Sequence, residues 1–246
     1  MHVYWTTGRW DEALEMHAEL GEGLELNSLL LVMRMYASLI WASRGEPVER
    51  PATAPTLQGT RSDVIVELIE AFLGAAVARA AGNLAHASEL TKATAIRWVS
   101  LTGIDDDFST LWLTGIDDAL AVGDVAGAEE LLALVTTRPH GHITPYIRCQ
   151  LPRVRAVINA AAGRQESVER EFVAAAKALR EFGAPYWLGR TLLEHAEWLA
   201  ARGREIQAPA LAAEAARIFE ELRARPWFER ATATTSVQPF LVADHN

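Results

Sequence analysis

Six glycines, at positions 8, 45, 82, 123, 163 and 203, divide the chain into steps of 37, 37, 41, 40 and 40 residues. Around each glycine the sequence repeats itself. Ser38, Ala75, Ile116, Ala156 and Ala196 stand seven residues before it, and Ala13, Ala87, Ala128, Val168 and Ala208 stand five after, with Arg50 the one departure. Twelve after come Leu20, Thr94, Val135, Ala175 and Ala215. Self-similarity at such a period marks a repeat architecture, in which each unit buries its apolar face only against its neighbours. A chain of this kind is expected to be a scaffold for binding, and the period is silent on what is bound.

Between the glycines the apolar residues recur at helical spacing, as in the stripe Val64, Ile65, Leu68, Ile69, Phe72, Leu73, Ala76, Val77 and again in Val168, Phe172, Ala175, Ala176, Leu179, Phe182. Each glycine follows such a stripe, where a left-handed residue ends a helix. Asp124, directly after Gly123, is a candidate N-cap for the next one. The unit is therefore helix, glycine turn, helix, and the small residues around the turn set how closely the two axes approach. This predicts an all-α fold, an α-solenoid of five to six helical hairpins over residues 1–230. After Gly45 the second helix is expected to be missing: residues 46–62 carry Pro47, Pro51, Pro55 and Gly59 and read as a hinge loop. Residues 231–246 read as a polar tail. Gly8 has only seven residues ahead of it, so the first complete helix, roughly 10–20, presents an uncapped face. An upstream domain, a partner or a second copy of the chain is expected to cover it, the last by self-association.

Half of the 246 residues are hydrophobic, enough for a continuous core, and 23 basic against 32 acidic residues leave a formal charge of −9. That balance argues against a nucleic-acid-binding face. The acids cluster: residues 105–130 hold eight and no Lys or Arg, which reads as a solvated face or a docking surface for a basic partner. A lone cysteine, Cys149, excludes an internal disulfide framework and fits a reducing compartment. The longest apolar run, residues 29–42, is broken by Arg34 and is too short to cross a bilayer. With no secretory signal near Trp10, Asp11 and Glu12, the expectation is a cytoplasmic protein with no membrane partner.

Candidate chemistry is sparse. His140 and His142 with Cys149 offer zinc-type ligands, but prolines 139 and 145 mark an ordinary loop. Asp105, Asp106 and Asp107 lack the alternating acids and glycine of a calcium loop and suit the positive end of a helix. Cys149 falls inside a predicted helix, and Glu194 with Glu197 is a common surface pairing. The chain is read as having no catalytic residues, no metal and no cofactor. The eight tryptophans (5, 10, 41, 98, 112, 187, 198 and 227) are expected mostly in the core, with one or two free to line an inner groove.

The pattern of small residue, glycine and alanine resembles the tetratricopeptide repeat, lengthened from its usual span of about 34 residues. Longer repeats of this kind are similar to those of large bacterial signalling ATPases, including activators related to the maltose-regulon activator and proteins joining an ATPase to a cyclase or helix-turn-helix domain. The likeness is carried by residues 179–187 (LREFGAPYW), 192–203 (LLEHAEWLAARG) and 215–227 (AARIFEELRARPW), and is specific over about 150–230. No phosphate-loop motif occurs in the chain. The resemblance therefore implies the regulatory arm of such a protein, acting beside an ATPase or cyclase domain that would lie upstream. By register with the family, the concave wall would include Tyr36, Arg79, Thr114, Asp117, Gln150, Arg153, Arg190, Glu194 and Glu197. Its charged end would clamp a peptide, and Met35, Leu39 and Phe72 would take an amphipathic helix. The expected function is binding of a protein or peptide partner. The alternatives are an arm that encloses a small molecule, or a remnant of a larger regulator.

Overall fold

The computed structural model describes residues 1–21, 28–48, 61–204 and 206–235. These residues are all-helical, with no strand among them. In chain order the helices are α1 (His2–Thr7), α2 (Trp10–Gly21), α3 (Ser28–Arg44), α4 (Arg61–Ala80), α5 (Leu84–Thr102), α6 (Asp106–Ala121), α7 (Val125–Thr136), α8 (Pro145–Ala161), α9 (Val168–Phe182), α10 (Pro185–Ala200), α11 (Ala208–Glu221) and α12 (Arg225–Thr235), with a 3-10 turn over His140–His142. Most of the hinge loop expected at 46–62 lies outside the described residues, and α4 already includes its last two positions. The first five positions of the tail expected from 231 belong to α12, which runs to Thr235; its threonine hydroxyls donate to backbone carbonyls one turn back. The rest of that tail lies outside the described residues.

Local sequence explains the boundaries. Asp124 caps α7 by accepting the Gly127 N–H at 2.8 Å, Asp105 caps α6 by accepting that of Phe108 at 2.7 Å, and Asn83 and Thr144 cap α5 and α8 in the same way. Asp105–Asp107 thus stand at a helix start, where negative charge meets the positive end of the dipole. All six repeat glycines have positive φ, between 70° and 79°.

Each helix packs on the next: α4 on α5, α5 on α6, α6 on α7, and so on to α11 on α12. The repeated small residues lie at these crossings, and Ala75, Ala87, Ile116, Ala128, Ala156, Val168, Ala196 and Ala208 are all buried. A tryptophan in place of Ala128 or of Ala208 overpacks its crossing at a cost of about 1–3 kcal/mol. For a domain of this size that lowers Tm by roughly 2–12 °C. Thermal unfolding followed by circular dichroism checks this; an unchanged melt for both variants contradicts the pairing.

The row of helices also closes on itself, which corrects the expectation of a bare N-terminal face. Helix α1 packs on α10, and α3 packs on α12. Trp5 stacks on Trp10 with ring centroids 5.2 Å apart, and Tyr186 of α10 lies against both, at 5.1 and 5.3 Å. Asp11 pairs with Arg44 at 2.8 Å and with Arg223 at 3.2 Å. Two repeat glycines serve this seam. A Cβ on Gly8 would sit 2.8 Å from both Leu222 and Pro185, and one on Gly45 would sit 2.9 Å from Pro226, whereas Gly82, Gly123, Gly163 and Gly203 face open space.

Candidate functional site

Helices α4, α6, α8, α10 and α12 are linked through paired charged side chains, one of them fully buried. Arg153 of α8 is fully buried. Its Nε and Nη2 donate to the two carboxylate oxygens of Glu194 at 2.9 and 2.6 Å, and Nη2 also donates to Asp117 at 3.0 Å. Arg190 completes the ring, donating to Asp117 at 2.8 Å and to Glu194 at 3.0 Å. Two guanidinium groups and two carboxylates thus alternate, drawn from α6, α8 and α10. Trp187 backs the ring, with the Arg153 and Arg190 guanidinium carbons 4.7 and 5.2 Å from its centroid. Trp227 covers Arg190 at 4.3 Å.

Two further forks flank it. Arg79 donates to both oxygens of the buried Asp118 at 2.7 and 2.6 Å, and the Thr91 hydroxyl adds a bond at 3.0 Å. Arg230 donates to both oxygens of Glu197 at 2.6 Å. Four guanidinium groups (79, 153, 190, 230) therefore meet four carboxylates (117, 118, 194, 197). Burial pushes the Asp117 carboxyl upward, but Arg153 and Arg190 beside it prevail and hold it below the usual carboxylate range. The same carboxylates outweigh the burial of Arg153 and Arg190 and raise both above the usual arginine value.

Beside this network lies a cavity of about 350 Å³, whose lining includes Arg79, Thr114, Asp117 and Arg190 together with Trp5, Leu39, Tyr186 and Trp227. Its walls come from α1, α3, α4, α6, α10 and α12, so both ends of the chain contribute. Larger hollows of about 580 and 430 Å³ border the loop around Arg138 and one of about 370 Å³ lies between α4 and α5, but none of the three linings contains a buried charged side chain.

Of the nine residues expected on a concave wall, Arg79, Thr114, Asp117 and Arg190 line the cavity, and Arg153 and Glu194 complete the charge network behind it. Glu197 sits beside the cavity with Arg230. Gln150 is fully buried, its amide without a hydrogen-bond partner among the described residues. Tyr36 is apart from the rest, its hydroxyl donating to Asp107 at 2.7 Å. The nine residues therefore do not share one exposed wall: Tyr36, Gln150 and Arg153 have no exposed surface, and Met35 and Phe72 are core. Sequence reasoning did not name Asp118 or Arg230, and it left open which one or two of the eight tryptophans would line the wall; Trp5, Trp187 and Trp227 line the cavity. Helical spacing carried the signal, since Trp187, Arg190 and Glu194 are spaced i, i+3, i+7 on one face and Trp227 precedes Arg230 by three.

Elsewhere, the thiol of Cys149 is buried, donates to the Tyr146 carbonyl at 2.9 Å, and is pushed up to about 12 by desolvation, so it is no thiolate at neutral pH. Among the described residues no group of three or more His, Cys, Asp or Glu could hold a metal ion, and no helix is long and apolar enough to cross a membrane. Neither protein-family models nor curated proteins yield a match to this chain.

Proposed function

We propose that this chain is a tetratricopeptide-like α-solenoid of helical hairpins that works without chemistry of its own, as the small-molecule-sensing arm of a regulator. One observation carries the reading: the curled row of helices leaves a cavity of about 350 Å³ at its centre, walled by aromatic, apolar and charged side chains from both ends of the chain. That volume is in the range of small-molecule sites, and such sites combine apolar walls with a few placed polar groups. A ligand there touches α1 and α3 on one side and α10 and α12 on the other. Its binding therefore favours the closed seam over any opened form, which is the differential contact that a sensor needs. A peptide groove along the same wall has less support, because Arg153, Gln150 and Tyr36 are buried beneath it. The resemblance over residues 150–230 supports an ATPase or transcriptional regulator as the protein that reads this arm.

A thermal-shift screen of a general small-molecule library tests the proposal, with Ala121→Trp as its control. Ala121 is exposed at the end of α6 and lines the cavity, so the indole fills the space without disturbing the core. Compounds that raise Tm of the wild type and not of the variant are expected, since selective binding to the folded state stabilises it. If every hit raises both proteins equally, or none raises either, the reading falls.

A further inference from the structure

The ligand class follows from what this lining offers, and the inference rests on the small-molecule reading above. We infer that the central cavity takes a neutral, flat molecule of about two fused rings that carries a hydrogen-bond donor and acceptor side by side, as a lactam does.

Charge comes first. The four guanidinium groups and four carboxylates at the centre already pair off. A ligand with net charge would bring an uncompensated charge into a partly desolvated space, where an unpaired ion is disfavoured. Hydrogen-bonding capacity remains on both sides. The Asp117 side chain keeps 23% of its surface, and its two oxygens hold one arginine each, at 3.0 and 2.8 Å, so each can accept another donor. In the same lining, Arg79 and Arg230 are 29% and 50% exposed, and each uses Nε and Nη2 on its own carboxylate, which leaves further N–H groups for an acceptor. Acceptor and donors thus face one space, and a cyclic amide answers both.

Size and shape come next. A cavity of about 150 Å³ holds benzene, so one of about 350 Å³ takes a body of roughly twice that size. Trp5, Leu39, Tyr186 and Trp227 supply flat apolar walls. In the same lining, the indole N–H of Trp187 and the Nε–H of Arg190 have no hydrogen-bond partner among the described residues. The wall can therefore regroup its hydrogen bonds round a ligand without emptying a filled set.

Titration of the full chain with a matched series, followed by calorimetry and tryptophan fluorescence, tests this. The probes are carbostyril, its N-methyl derivative, naphthalene, naphthoate and naphthylmethylammonium. Carbostyril is expected to bind at least tenfold more tightly than any other member, and Ala121→Trp is expected to abolish that binding. Equal or tighter binding of naphthoate, the ammonium or naphthalene overturns the proposed chemistry, as does carbostyril binding that survives Ala121→Trp. Equal binding of the N-methyl derivative removes the donor requirement and overturns it too. If no probe binds while library hits are still blocked by Ala121→Trp, the ligand class is wrong and the site stands. If Ala121→Trp blocks nothing at all, the site falls with it.

Discussion

Replacing Arg153 with alanine is expected to lower the unfolding free energy by about 3–5 kcal/mol. The side chain is fully buried and holds Glu194 and Asp117 together through three hydrogen bonds. Its removal leaves two mostly buried carboxylates, 23% and 13% exposed, to share Arg190, and an uncompensated, largely desolvated charge is the costly outcome. The cost of the pair differs from the cost of the break. Arg153→Met together with Glu194→Leu removes one cation and one anion and leaves Arg190 on Asp117, so the double variant is expected to lose less than the single. Urea unfolding of the three proteins at one pH measures both. A single-variant loss under about 1 kcal/mol would mean that Arg153 faces water. Acid adds a signed check. Asp117 titrates below its unfolded value, so its contribution is present above about pH 4 and fades as pH falls through the lower, folded pKa. Asp117→Asn should therefore unfold with a shallower dependence on acid than the parent.

The second large effect lies at the seam. Gly8→Ala places a side chain at φ 77° and brings its Cβ within 2.8 Å of Leu222 and Pro185. The left-handed backbone costs about 1–2 kcal/mol for an L-residue, and forcing the packed neighbours apart adds about 1–3 kcal/mol. Gly123→Ala meets the same backbone demand, also at φ 77°, with nothing within 4 Å, so it should lose only the first part. Hydrogen exchange separates local from global effects. Gly8→Ala is expected to raise exchange in α1–α3 and α11–α12 and leave α6–α9 near the parent rates. Equal losses for the two glycine variants, or uniform exchange, would mean that the ends of the row do not hold each other in solution.

The seam explains why two repeat glycines matter more than the others although all six look alike in sequence. Gly8 and Gly45 repeat the local job of Gly123, which is to end a helix. Their second job depends on Pro185, Leu222 and Pro226, more than 170 residues away in the chain. Nothing within a repeat announces such a partner.

What the amino-acid order determined by itself is local and periodic: helices between the glycines, a cap at Asp124 and small residues at the crossings. These follow from backbone sterics and a 3.6-residue period, which act over one or two turns. Only the tertiary structure decided that the row curls until Asp11 meets Arg223, 212 positions later, and so brings α1 and α3 against α10 and α12 around a half-open cavity. Curl is the sum of small rotations at every crossing. A few degrees at each, set by how far one alanine lets two helices approach, separate an open arc from a closed one.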